Sequence, residues 1–407
     1  MIPIRPVGLQ AIPRNVVDSY LKPGLLNLSA LPPLSLYVHF PWCVRKCPYC
    51  DFNSHEAGNE LPEQAYLSAL RADLEQSLPL IWGRKIVSIF IGGGTPSLMS
   101  AAGLDQLLSD IRSLLPLEPS AEITMEANPG TFEAEKFRSF ASSGINRLSI
   151  GIQSFNDKHL KVLGRIHDAD EARRAITIAK NSFENINLDL MFALPEQTLA
   201  ESELDVNTAL SFDPTHLSLY HLTMEANTVF AKYPPELPDD DTSATMQQML
   251  IEKTTAAGFQ NYEISAYARE GRRAKHNLNY WEFGDYLGVG AGAHSKISFP
   301  HRVIRQARYK QPDSYMQQAS KGNAVSEEAE ISREDLGFEF MINALRLTDG
   351  FEVRQFSERT GLTLQVVESA LNKAEAKGLL YRDYLKIAPT SLGRRFLNDL
   401  QQIFLPD

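Results

Sequence analysis

Apolar and polar positions along this chain fall into short β-rich runs separated by longer helical patterns from about residue 34 to 225. Six runs read as strands: LSLYVHF (34–40), IVSIFIGG (86–93), EITMEAN (122–128), RLSIGIQ (147–153), INLDLMF (186–192) and HLSLYHL (216–222). Each is short, rich in β-branched or aromatic residues, and bounded by turn formers. Between them lie stretches with helical spacing, among them EQAYLSALRADLEQSL, LDQLLSDIRSLL and ADEARRAITIAKN. Repetition of strand and helix gives parallel strands covered by helices. Six such units predict an α/β fold, a partial (β/α)6 barrel, with a flat doubly wound sheet as the alternative. A cysteine loop, not a nucleotide-binding glycine fingerprint, follows the first strand, which favours the barrel.

The C-terminal part changes pattern. FEFMINALRL (338–347) reads as an amphipathic helix, followed by VRQFSERTG, LTLQVVESALNKAEAKG and LLYRDYLKIAPTSLGRRFLNDLQQIF. Helix, turn, helix, β-hairpin, helix is a winged-helix-like α+β order. The predicted organisation is an extended, proline-rich lead-in over 1–33, a barrel over 34–240, a barrel-completing segment over 241–325, and the winged-helix-like domain over 326–407.

Composition narrows the function classes. A chain of 407 residues holds one large domain and a smaller one. The formal net charge is -10, and the segment LQVVESALNKAEAKG, in the recognition position of a winged helix, mixes Glu368 and Glu375 with Lys373 and Lys377. Neither feature suits nucleic acid. No apolar run is long enough to span a bilayer, and the N-terminus lacks the apolar core of a signal peptide.

The candidate chemistry is concentrated in one loop. The 3 cysteines are Cys43, Cys47 and Cys50, spaced C-x3-C-x2-C, with Tyr49 before the last. An odd, clustered set does not make a disulfide framework. Structural zinc needs four ligands; His39 or His55 could add one, but no second knuckle exists. Three thiolates can hold three irons of a 4Fe-4S cube and leave the fourth open. Such a cluster and free thiols imply a reducing compartment, hence the cytoplasm.

The strand ends carry further candidates. Gly92-Gly93-Gly94-Thr95-Pro96 follows the second strand, Glu126 ends the third, Gln153 ends the fourth and Asp189 lies in the fifth. In a barrel these C-terminal ends gather on one rim. Alone, the glycine run is equally a tight turn, Glu126 a capped carboxylate and Gln153 a buried polar residue.

Together, YVHFPWCVRKCPYC, IGGGTPS, EANPG, RLSIGIQSF and LDLMFALPEQT resemble the oxygen-independent coproporphyrinogen III oxidase family of the radical S-adenosylmethionine (SAM) superfamily, from about residue 34 to the C-terminus. The resemblance implies a 4Fe-4S cluster on Cys43, Cys47 and Cys50. It also implies SAM contacts from Tyr37, Tyr49, Gly93, Gly94, Thr95, Glu126, Gln153, Arg165 and Asp189. Two departures stand against the oxidase reaction. Phe52 occupies the position of a further cysteine, and the lead-in differs from the oxidases' N-terminal segment. The string His276-Asn277-Leu278-Asn279-Tyr280-Trp281 fits H-N-x-x-Y-W, which resembles the motif of the HemW-type heme chaperones, the sister branch.

That branch implies heme as cargo, an acceptor protein as partner, and an electron donor if SAM is cleaved. His276, Asn277, Tyr280 and Trp281 are the heme-motif residues, and the two aromatics suit a partly exposed macrocycle. A neutral imidazole is a good ligand for heme iron. His276 is the motif candidate and His294 an alternative, although a histidine beside a glycine-rich turn is more often structural. The C-terminal domain would act as a lid or dimerisation element, with a homodimer possible. The alternative function is coproporphyrinogen III dehydrogenase itself.

Overall fold

The computed structural model describes residues 26–406 apart from residues 59, 132 and 133. Most of the lead-in expected over 1–33 therefore lies outside the described residues. Six strands, β1 (Leu34–Phe40), β2 (Ile86–Gly93), β3 (Leu117–Ala127), β4 (Arg147–Gln153), β5 (Ile186–Phe192) and β6 (His216–His221), pair in parallel in chain order. The longer helices that connect them are α1 (Glu63–Ser77), α2 (Ala101–Leu114), α3 (Ala134–Ser143), α4 (Ala169–Lys180) and α5 (Leu199–Ser211). Helix starts follow local chemistry. Ser100 caps α2 by accepting from the Gly103 N–H, and Asp168 with Glu171 and Thr198 with Glu201 form capping boxes on α4 and α5.

The sheet is larger than the six-unit expectation. After helix α6 (Asp240–Ala256) and helix α7 (Lys275–Trp281), β7 (Asp285–Val289) pairs in parallel with the outer edge of β1. Strands β8 (His294–Phe299) and β9 (Arg302–Arg308) extend that side antiparallel within a twelve-stranded sheet. The third strand begins five residues earlier than EITMEAN predicts, at Leu117.

Each central strand has two different faces. In β1, Leu34, Leu36, Val38 and Phe40 are buried under the helices, while Ser35, Tyr37 and His39 point the other way. The same alternation puts Ser88 and Phe90, Glu122 and Glu126, Arg147 and Ser149, Asn187 and Asp189, and His216 and Ser218 on the second face. Burying one aliphatic side chain is worth about 1.5–3 kcal/mol, so the apolar face fixes the register and the polar face is carried by it.

The main apolar cluster covers this sheet and its helices. A second joins Phe283 and Val303 to residues from Ile331 to Phe404, and Leu26 and Leu28 of the lead-in pack into it. Its leading helix, α8 (Arg333–Ala344), starts at the Ser332 cap, before the FEFMINALRL window. A three-stranded sheet, with Lys386–Pro389 between Phe351–Glu352 and Leu380–Arg382, supplies the hairpin.

Candidate functional site

The cysteine loop leaves β1 at the rim. Its ends are clamped where Trp42–Cys43 pairs with His55–Glu56, and the Ala57 N–H donates to the Cys43 carbonyl at 2.8 Å. The glycine turn after β2 is bonded to its base: the Gly94 N–H reaches the Phe40 carbonyl and the Thr95 N–H the Trp42 carbonyl, both at 2.7 Å. A Cβ on Gly94 would stand 2.4 Å from the Trp42 oxygen, so this contact demands glycine. Gly93 is also bound to glycine, by a φ of +113° and by the His39 ring.

A cavity of about 330 Å³ opens at this rim. Cys43, Cys47, Cys50, Tyr49, Gly93, Gly94, Thr95, Glu126, Gln153, Arg165 and Asp189 all line it. Tyr37 does not; it faces an adjoining cavity of about 720 Å³. Among the described residues, no three acidic, histidine or cysteine side chains converge on one point as a single metal ion requires. A cube does not ask this, because its irons are separate corners. Three free thiols lining one cavity fit that donor set, and among the described residues no further cysteine stands beside them.

Arg165, Glu126 and Asp189 stand half-buried on the wall of the smaller cavity. The Arg165 guanidinium lies 3.8 Å from Cys47 Sγ and also donates to Asn128 Oδ1 at 2.5 Å and to the Gly151 carbonyl at 2.8 Å. Burial, followed by the nearby Asp189, pushes the Glu126 carboxyl up to about 8, against the Gly93 N–H that it accepts at 3.0 Å. Burial raises Asp189 too, although Ser149 Oγ and Asn187 Nδ2 donate to its oxygens at 2.9 and 2.8 Å. Gln153 holds a φ of +67°, a strained backbone for a residue with a side chain.

Sequence reasoning missed several residues here. Tyr37 Oη lies 2.7 Å from His39 Nδ1, and His39 Nε2 lies 2.8 Å from the Asn53 carbonyl. A carbonyl only accepts, so Nε2 carries the proton and Nδ1 accepts from the tyrosine. Burial lowers His39 to about 4, so the ring stays neutral. Asn53 in turn donates to the Ala291 and Lys310 carbonyls at 2.9 and 2.8 Å, tying the cysteine loop to the turn before β8. From β6, Tyr220 and His221 also line the smaller cavity.

The H-N-x-x-Y-W residues sit on α7, which closes the opposite end of the polar face. His276 is buried, its Nδ1 3.2 Å from Glu122 Oε1 and its ring stacked 4.3 Å from Phe90. Burial holds its imidazole below the ordinary value, against the pull of Glu122. Asn277 donates to Tyr262 Oη at 3.3 Å, Tyr280 opens into the larger cavity, and Trp281 lies under the Arg346 guanidinium at 4.2 Å. The four residues thus do not share one macrocycle-sized surface, unlike the expectation that both aromatics face it.

A buried relay connects the two ends. Tyr262 Oη lies 2.9 Å from His216 Nε2, His216 Nδ1 lies 2.6 Å from Asn187 Oδ1, and Asn187 Nδ2 donates to Asp189. Asn187 Oδ1 accepts only, so His216 carries its proton on Nδ1 and takes one from Tyr262. The chain of bonds from Asn277 to Asp189 therefore has one direction.

Comparison with known proteins agrees with this architecture. Residues 37–207 match the radical SAM superfamily, and residues 331–396 match the HemN C-terminal domain. The protein named heme chaperone HemW in Escherichia coli is 46% identical over 93% of this chain and 99% of its own length. The Bacillus subtilis protein of that name is 36% identical over 91% and 99%. Radical S-adenosyl methionine domain-containing protein 1, mitochondrial, of mouse is 33% identical over 97% and 92%. The solved structure of the radical SAM enzyme coproporphyrinogen III oxidase (HemN) from Escherichia coli superposes with a TM-score of 0.79 at 23% identity, covering 96% of this chain and 93% of the other, a likeness of fold. Among the described residues, no helix is long and apolar enough to cross a membrane. Full-length similarity at this level, on a radical SAM fold with a HemN-type C-terminal domain, places the chain in the HemW family of heme chaperones.

Proposed function

We propose that this protein binds heme and passes it to an acceptor protein in the cytoplasm, carrying a 4Fe-4S cluster on Cys43, Cys47 and Cys50 and SAM in the smaller cavity. The observation that supports this reading best is the paired cavity at the rim: thiols and buried carboxylates on one side, and a larger aromatic chamber reached by Tyr280 on the other. The relatives' printed name, heme chaperone, points the same way.

Within this reading, Arg165 offsets the charge of the cysteine wall, and Glu126 and Asp189 accept from polar groups of SAM. The Gly93–Thr95 turn admits its backbone, and Tyr49 and Gln153 complete the wall. Tyr37 reaches the ligand from the adjoining chamber. When bound, the cluster supplies one-electron chemistry through an iron that keeps a position open for SAM. An electron donor, a homodimer contact, and domain limits near residues 240 and 325 belong to the same proposal.

Phe52, 56% exposed at the mouth of both cavities, stands where an oxidase would carry its additional cysteine. The test is hemin titration of anaerobically reconstituted protein, followed by the Soret band. Saturation at one heme per chain is expected. Absence of saturable binding, with turnover of coproporphyrinogen III, would return the assignment to the dehydrogenase.

A further inference from the structure

The larger cavity adjoins the one given to the cluster and SAM and shares Cys50, Gly93 and Glu126 with it. Its volume, about 720 Å³, lies in the range of cofactor sites. Its walls are aromatic: Tyr280 and Tyr286 pack edge to face at 4.7 Å, and Phe52 and Phe90 line other sides. Two cations, Lys46 and Lys310, stand on it beside the carboxyl groups of Asp51 and Glu126. A flat apolar body carrying anionic arms is the chemistry such a chamber recognises.

Three imidazoles line this chamber, and they are not equivalent. His39 has both ring nitrogens engaged, by Tyr37 and by the Asn53 carbonyl. His55 lines the chamber with its Nε2 buried and no hydrogen-bond partner for that nitrogen among the described residues, and it sits in the clamp of the cysteine loop rather than on the rigid sheet. His294 is exposed, and its ring makes no hydrogen bond among the described residues. His276 lines neither cavity and is committed to Glu122 and Phe90.

The backbone of His294 is also held in place. It opens β8 in register with Ala307, and its carbonyl lies so close to Gly288 that a Cβ there would stand 2.0 Å away. The preceding turn is held by Asn53, which bonds the Ala291 carbonyl and that of Lys310. A ligand on a rigid strand, with a lysine pinned beside it, is preorganised.

We infer that the larger chamber is the heme seat and that His294, not the motif histidine His276, supplies the axial imidazole, with Lys310 and Lys46 facing the propionates. This inference rests on the heme-carrier reading above and names its site. Tyr280 then brings the H-N-x-x-Y-W helix to the macrocycle as a wall. His276 supports that wall through the Phe90 stack as a positioning residue.

The experiment is a hemin titration of the full reconstituted chain as wild type, His294→Ala and His276→Ala, read by Soret position, affinity and low-temperature electron paramagnetic resonance. In His294→Ala the axial signature is expected to change and the affinity to fall roughly tenfold or more. Its iron–sulfur absorption and SAM affinity should stay at wild-type values, and added imidazole should restore the Soret band. His276→Ala should keep the axial signature. If wild type binds no hemin, the carrier reading itself fails. If wild type binds but His294→Ala matches it in band and affinity, or His276→Ala alone loses the axial signature, the carrier reading stands and this inference falls. Should His294→Ala also lose its cluster, the imidazole rescue decides: a restored band supports the assignment and an unresponsive one overturns it.

Discussion

The cysteine loop and helix α7 both carry short motifs, yet they behave oppositely in the fold. Cys43, Cys47 and Cys50 sit on a loop clamped at both ends, so all three thiols meet one cavity. His276, Asn277, Tyr280 and Trp281 sit on a helix, where each residue turns by about 100°. His276 and Tyr280 therefore share one flank, toward Phe90 and the larger chamber, while Asn277 and Trp281 share another, toward Tyr262 and Arg346. A loop motif gathers its chemistry at one point. A helical motif distributes it, and its residues hold several neighbouring elements in place.

The comparison breaks most visibly at the cysteines. Cys43→Ala, Cys47→Ala or Cys50→Ala should each abolish the 4Fe-4S absorption and its iron content, because the chain has no other cysteine to replace the lost thiolate. An intact cluster spectrum in any of them would remove that residue from the ligand set.

A smaller effect lies in the buried carboxylates of the same cavity. Glu126 titrates at about 8 when folded, against an ordinary 4.5. The folded chain keeps this proton between those values and the unfolded chain releases it, so stability falls as pH rises through that window. The ligand-free protein should lose on the order of a few kcal/mol from this group across the window. Glu126→Gln should flatten the loss, measured by denaturant unfolding at a series of pH values. A mutant with the wild-type slope would locate the titration elsewhere.

The relay between the two regions gives the smallest effect and the sharpest one. Tyr262→Phe leaves His216 Nε2 without its donor in the interior, at about 1–3 kcal/mol of stability. Its second readout is SAM affinity. Weaker SAM binding would mean that α7 orients Asp189 through His216 and Asn187. Unchanged SAM affinity with lowered stability would reduce the relay to a packing device.

The parallel core was legible because each strand is short, apolar and bounded by turns. The thiol wall was legible because a loop motif needs no partner from elsewhere. The polar lining was harder to see, although its signal is present. In LSLYVHF and RLSIGIQ every second position is polar or small, and in INLDLMF and HLSLYHL the alternation holds over the first four or five residues. Parallel strands under helices are ordinarily apolar on both faces, so that alternation marks a polar interior. It points to Ser149, Asn187 and His216, which no motif names. The seventh parallel strand, Asp285–Val289, was hidden because it returns to the outer edge of β1 after a long excursion, and local pattern carries no information on such pairing. The helix had a periodicity that placed His276 and Tyr280 together, but which flank met the chamber depended on Phe90 and Glu122 from two other strands.

The account's central claim is that two adjoining cavities hold two different ligands at once. Its most direct test is hemin titration of reconstituted protein in the presence and absence of saturating SAM, with SAM binding measured on the heme-loaded form. The account predicts that each ligand saturates at one per chain and that neither displaces the other. Displacement of heme by SAM, in a chain that binds each alone, would mean a single shared site and would contradict it.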